Sequence, residues 1–246
     1  MDAGQELATE LWLIRHGESM GNLEGRYQGH ADLPLSPRGH EQATRLAQRL
    51  ARIAARRPFA ALYSSDLQRA QQTARPVSQA LGLPVQVDPG LREIDVGVWA
   101  GLTFQEIAQR FPRQWAASTD VVDPHLERGG GESYAQAQAR IVAQVNAIAQ
   151  RHPGQRVLIV FHGGVLRAYL LHLLGLDLSN LRRLRTDNTA INRVLAYPAP
   201  RGDGPGRELP GVVISVNDVA HLETAPEEGP IGETPARPLA EQETPE

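Results

Sequence analysis

The segment LWLIRHGESMGN, Leu11 to Asn22, runs four large apolar residues directly into Arg15, His16, Gly17 and Glu18. Such a run reads as a strand buried on both faces, the kind found in a parallel sheet. An arginine and a histidine at its end need a reason to be there. The pattern returns late in the chain, where VLIVFHGG (Val157 to Gly164) carries five apolar residues into His162 and Gly163. In an open α/β sheet the carboxyl ends of parallel strands open onto one crevice, so the two histidines are expected to face each other across it.

Strand and helix patterns alternate around these two runs. ELWLI reads as a strand. A helix follows with Ser36 as its N-cap and Pro37 in the first helical position, where the missing N–H costs nothing. Phe59 to Tyr63 is a second strand, Asp66 opens a helix that stops near Gly82, and Val85 to Asp88 is a short strand. Thr103 with Glu106, and Ser133 with Gln136, have the spacing of capping boxes, the second opening a long helix to about His152. RVLIVF is a strand, GVLRAYLLHLLG a helix, and AINRVLAYP and GVVISV are closing strands joined by a Pro/Gly-rich loop from Pro198 to Gly211. The expected fold is a three-layer α/β/α sandwich around a mostly parallel central sheet. It occupies residues 1–222 as one domain, with a lid over about 100–135.

Composition excludes several chemistries. With 246 residues, 41% of them hydrophobic, the chain can bury a full core. It has no cysteine, and all 25 basic residues are arginine. There is thus no thiolate nucleophile or Cys-ligated metal, and no Schiff-base or P-loop lysine. The stretch 223–246 holds seven Glu against one Arg and is Pro-rich, so it is expected to be a disordered, solvated tail. The net charge is −3, and with that tail set aside the body is mildly basic. This suits small anions and not a nucleic-acid track. The N-terminus is polar and no apolar run approaches membrane-spanning length, which leads to the expectation of a cytoplasmic protein without a membrane partner.

Arg15, Arg69 (in the helix after the second strand) and two histidines would form an electropositive pocket matched to a phosphate, which guanidinium groups bind bidentately. One histidine, as neutral imidazole, could attack phosphorus and form a phosphohistidine that water then cleaves. A carboxylic acid must protonate the departing alkoxide. LREIDVGVWAG offers Arg92, Glu93 and Asp95, and Glu93 is the candidate, in an apolar surround that would let it hold a proton near neutrality. No HxxxH or DxD-type spacing supports a metal site, and neither metal nor cofactor is expected.

LIRHGES, LPLSPRGHEQA, YSSDLQRAQQTA, LREIDVGVWAG, GGES and VFHGGVLRA, in this order from Leu11 to Leu222, resemble the signature blocks of the histidine phosphatase superfamily, in its branch of phosphoglycerate mutase-like phosphatases. The resemblance implies that His16 is the phosphorylated nucleophile, that Arg15, Arg69 and His162 hold the phosphate, and that Glu93 donates the proton. It also implies that Asn22, Gln28 and Gly163 contact the phosphoryl group or its ester oxygen. Gly21 departs from the pattern, since many relatives have tryptophan there.

A mutase must exclude water and bind a bisphosphate in two orientations. Only 68 residues separate Glu93 from His162, and two helices use much of that length. The expected activity is therefore that of a metal-independent phosphomonoesterase of the histidine acid type, acting on a small phosphorylated substrate. A cofactor-dependent phosphoglycerate mutase and a catalytically idle phosphate-binding module are the alternatives. Arg110, Arg113 and Arg128 fall in the lid, where a substrate carboxylate, a second phosphate or plain solvent could meet them. His30, His40, His125, His152, His172 and His221 are read as structural or exposed. The leaving group is not specified, and the oligomeric state is open, a homodimer included.

Overall fold

Alternation along the first strand sets the layers. In β1 (Thr9–Arg15) Leu11 and Leu13 join one apolar cluster, while Trp12 and Ile14 join another on the opposite face. A strand whose successive side chains enter two cores must lie between two layers of helices. The computed structural model describes residues 7–119, 123–202 and 208–223. Besides β1 it contains β2 (Ala61–Ser64), β3 (Val85–Val87), β4 (Arg156–Phe161), β5 (Ile191–Gly202) and β6 (Glu208–Asp218). They form one six-stranded sheet in the order β3-β2-β4-β1-β5-β6. The first four are mutually parallel; β5 runs antiparallel to β1 and to β6.

The helices are α1 (Met20–Leu23), α2 (Pro37–Ala54), α3 (Gln68–Leu81), α4 (Phe104–Arg110), α5 (Pro112–Thr119), α6 (Tyr134–Gln150) and α7 (Gly163–Leu173). Leu46 and Leu50 of α2 and Ala70, Ala74 and Val77 of α3 pack with Trp12, Ile14, Leu158 and Val160. On the other face, Ile141, Val145 and Ile148 of α6 and Leu166 and Tyr169 of α7 pack with Leu11, Leu13, Ile159 and Phe161. The three-layer expectation holds. No helix among the described residues is long and apolar enough to cross a membrane.

Local start signals work as read. Ser36 accepts from Gly39 N at 3.0 Å with Pro37 in the first turn, and Thr103/Glu106 and Ser133/Gln136 close their capping boxes. Two expectations need correction. Asp66 does not open α3: its carboxylate accepts from Arg92 Nε at 2.8 Å, and the helix starts at Gln68 behind Leu67, with no side-chain cap. The Pro198–Gly211 loop is largely strand, because Arg201 pairs with Leu209 and Gly202 with Glu208. Beyond Ala196 the β1 side of β5 has no partner strand among the described residues, so prolines without an N–H can be accepted there. The expected acidic tail, apart from Glu223, lies outside the described residues, as do residues 120–122 of the lid.

Register does the rest. Arg15 pairs with Phe161, and His16 N donates to Phe161 O at 2.9 Å, so the residues after β1 and β4 are neighbours by construction. Ser65 N donates to Val160 O at 3.0 Å, bringing the end of β2 to the same line. The turn after β1 then runs backbone against backbone into the start of α2. A Cβ on Gly39 would stand 2.0 Å from Glu18 O, and one on Gly17 2.7 Å from Gly39 O.

Gly39→Ala tests that contact. In an unobstructed helix the change would stabilise by about 0.5–1 kcal/mol. Here overpacking against a main-chain carbonyl should cost about 1–3 kcal/mol, or roughly 2–10 °C in Tm for a domain of this size. A thermal melt with unchanged or raised Tm would refute the close approach.

Candidate active site

His16 is 3% exposed, and its Nδ1 lies 2.7 Å from Gly17 O. A carbonyl can only accept, so Nδ1 carries the ring proton and Nε2 keeps its lone pair. Burial, with Arg69 and Arg15 close by, holds the imidazole well below its usual pKa, so the ring is neutral at neutral pH. The main chain is anchored as firmly. Gly17 N donates to Thr73 Oγ1 at 2.9 Å, and Asn188 Nδ2 donates to His16 O at 3.0 Å.

Two guanidinium groups flank this ring. Arg69, 1% exposed, donates to Ala31 O and Gly29 O at 2.8 Å each and from Nε to His162 Nδ1 at 3.2 Å. Three of its five N–H groups are used, leaving one on each terminal nitrogen. Burial pulls its pKa down to about 10, the mark of a desolvated cation that remains charged. Arg15 donates from NH1 to Thr186 O at 2.6 Å, while its Nε is buried and has no partner among the described residues. An orphaned buried N–H on a cation fits an absent anion.

His162 stands differently from the expectation. It is fully buried, its ring centroid 5.2 Å from that of His16, and both nitrogens are engaged. Nδ1 accepts from Arg69, so Nε2 carries the proton and donates to Ser65 Oγ at 2.9 Å. Burial and Arg69 keep this ring neutral as well. His162 thereby braces Arg69 beside the nucleophile ring.

Glu93 is not in an apolar surround, which corrects the sequence reading. Its carboxylate accepts from Gly164 N at 2.9 Å and from Val165 N and Ile94 N at 3.0 Å. Two of these donors are amides of the opening turn of α7, which have no partner within that helix. Its carbonyl is pinned by His30 Nε2 at 2.8 Å, so His30 is structural in direct support of the site. Gly163 and Gly164 make the room: a Cβ on the first would stand 3.0 Å from Arg15 Nε, and on the second 2.5 Å from Glu93 Oε1. Asn22 and Gln28 turn their amide oxygens toward Ser19 Oγ, at 3.0 and 2.7 Å, and their amide nitrogens make no bond among the described residues. Gly21 lets Gln28 lie there, because a Cβ would come within 2.5 Å of its side chain.

Arg15, His16, Asn22, Gln28, Arg69, Glu93 and Gly163 thus line one cleft of about 760 Å³. Sequence reading missed Arg167, Arg182, Thr186 and Asp187 in its wall, and Ser65 behind it. Thr186 to Thr189 carries no local motif; it matters because Thr189, at φ 58°, donates its N–H to Arg15 O at 2.9 Å. The lid arginines divide: Arg110 is exposed beside Glu106, Arg113 is exposed, and Arg128 is 2% exposed. Among the described residues no three metal-ligating side chains converge, and the positive charge of the cleft is arginine.

A model of the histidine phosphatase superfamily (branch 1) matches residues 11–200. Over 218 residues the chain is 35% identical to phosphoserine phosphatase 1 of Hydrogenobacter thermophilus, covering 87% of this chain and 94% of that one. It is 34% identical over 217 residues to the probable phosphoglycerate mutase GpmB of Cronobacter sakazakii, covering 87% and 95%. Among solved structures, YhfR of Bacillus stearothermophilus superposes with a TM-score of 0.75 at 34% identity, over 88% of this chain and all of that one.

The loop that holds Arg15 offers a test by pH. Thr189 Oγ1 lies 3.0 Å from His221 Nε2, and burial lowers His221 to about 4. The unfolded chain takes up this proton near pH 6.5 and the folded chain only near 4, so stability falls as pH drops through that window. His221→Gln keeps a partner for Thr189 and removes the titration. Its Tm should therefore decline less than wild type between pH 7 and 4.5, and parallel declines would refute the assignment.

Proposed function

The chain belongs to the histidine phosphatase superfamily, and on that footing we propose that it hydrolyses small phosphorylated metabolites, without a metal, through a phosphohistidine on His16. The observation that carries the reading is a buried donor, Arg15 Nε, with no partner among the described residues, beside a neutral histidine whose Nε2 makes no bond among them. A phosphate dianion would give that donor its acceptor and set phosphorus before the lone pair.

In the first step Nε2 attacks phosphorus and the P–O bond to the leaving group breaks. Arg15 and Arg69 meet the charge on the equatorial oxygens, in the role a metal plays elsewhere, and the Asn22 and Gln28 amides donate beside them. Glu93 passes a proton to the departing oxygen. That proton can enter with the substrate, since the second ionisation of a phosphate ester lies at about pH 6 and some monoanion persists at neutrality; handing the proton to Glu93 leaves the dianion on the arginines. In the second step water attacks the phosphohistidine, Glu93 takes its proton, the N–P bond breaks and inorganic phosphate leaves. Two features support Glu93 in both directions: its oxygens are fixed by three amides, and it faces the cleft that holds His16. His162 acts through Arg69, as a positioning residue.

Relatives named as phosphatase and as mutase are equally similar to the chain, so the mutase is the second reading. In EDTA-containing buffer, wild type should release inorganic phosphate from alkyl monoesters without a bisphosphate primer. Isomerisation of 3-phosphoglycerate in excess of phosphate release would select the mutase.

His16→Ala should lose both turnover and the acid-labile, alkali-stable label on the enzyme; turnover that survives would end the phosphohistidine proposal. Glu93→Gln should slow alkyl phosphates by about 10²- to 10⁴-fold, the range of a positioned general acid, and slow an aryl phosphate less in the first step. Equal losses on both would remove Glu93 from that role.

A further inference from the structure

Next to the phosphate end of the cleft lies a second compartment of about 610 Å³. Tyr27, Phe104, Tyr134, Arg167 and Arg182 line both, so the two are continuous. Its walls are aromatic: Phe104 and Trp115 stack at 5.7 Å, and Tyr27 lies 5.8 Å from Phe104 and 6.3 Å from Trp99. A space of this size suits a drug-sized body and far exceeds a three-carbon acid.

Arg128 is the feature that needs explaining. It is 2% exposed and lines this compartment, its guanidinium 3.8 Å above the Tyr134 ring. Among the described residues its guanidinium donates one hydrogen bond, to Leu126 O at 3.0 Å, and has no carboxylate within 4 Å. Arg156, buried almost as deeply elsewhere, has Glu10 at 3.6 Å. A buried cation without a counter-charge is costly, and a face-on aromatic ring offsets only part of that cost. Arg167 leans the same way: Nε donates to Gly163 O at 3.1 Å, and its terminal nitrogens make no bond among the described residues.

We propose that this compartment receives the leaving group, and that Arg128 and Arg167 bind a second anionic group, carboxylate or phosphate, on a ring-bearing alcohol. The aromatic walls hold the ring and the arginines fix the far end, while Arg15 and Arg69 hold the phosphoryl group. The inference rests on the phosphomonoesterase reading and narrows its substrate class to alcohols bulkier than serine or glycerate, which would leave the aromatic compartment unfilled.

The test compares esters with one type of leaving oxygen: benzyl phosphate, its 3- and 4-carboxy derivatives, the matching carboxamides, and benzene-1,4-dimethanol bisphosphate. At least one carboxylate should exceed its carboxamide by about 10- to 100-fold in kcat/KM, chiefly through KM, as charge-assisted bonds allow. If the bisphosphate gains more than either carboxylate, the anion is a second phosphate; if less, a carboxylate. Arg128→Gln should collapse the carboxylate-to-carboxamide ratio toward one, and Arg128→Lys should restore part of it. Because that ratio is first read on wild type, a variant that fails to fold leaves the test intact. Equal turnover of carboxylate, bisphosphate and carboxamide would overturn the inference alone. Failure to hydrolyse any of these esters would instead overturn the phosphatase reading beneath it.

Discussion

Arg69 is buried, and among the described residues no carboxylate lies within 4 Å of it. Desolvating a guanidinium costs several kcal/mol, and three charge-assisted bonds return only part of it. The remainder acts as a standing demand for an anion, and much of the site follows from it. The loop after α1 bends so that the Gly29 and Ala31 carbonyls face inward. His162 must be neutral, with Nδ1 unprotonated, to accept from Nε, and Ser65 must then take the proton on Nε2. Three chain segments are therefore committed to holding one charge that none of them neutralises.

The acid is held by an opposite logic. Glu93 comes from the stretch after β3 but is fixed by amides of α7, so its position is decided by a helix seventy residues later. Gly163 and Gly164 sit at the crossing, one beside Arg15 and the other beside Glu93. Any side chain at either would push a charged group out of place. Cation and carboxylate thus share one helix start, and their separation is set by backbone alone, the least deformable part of the structure.

What could be read from the chain were features whose cause is local. Apolar runs ending in Arg15–His16 and in His162 announce strand ends, and Ser36, Thr103 and Ser133 cap as their spacing requires. Asp66 misled because its local pattern is that of a cap, whereas Arg92, distant in sequence, outcompetes the helix amides for its carboxylate. The surround of Glu93 could not be read, since it depends on where α7 begins in space. The same holds for His162, whose two ring nitrogens are engaged by Arg69 and Ser65. Pro198 to Gly211 misled for a related reason: prolines forbid a central strand but not a stretch of strand beyond its neighbour's end.

The strand order also sets a timetable. Among the described strands β1 leaves the ribosome before the others, its partners there are β4 and β5, and the bond from Arg15 to Thr186 spans 171 residues. At about 5–20 residues per second, roughly seven to thirty seconds of synthesis separate β1 from β4. Throughout that interval Leu11, Trp12, Leu13 and Ile14, all buried in the finished protein, have no sheet to enter. The segment that carries His16 is thus a sticky peptide until most of the chain exists. A fold of this topology completes its reactive centre late, once α7 and the turn from Thr186 to Thr189 have followed β4.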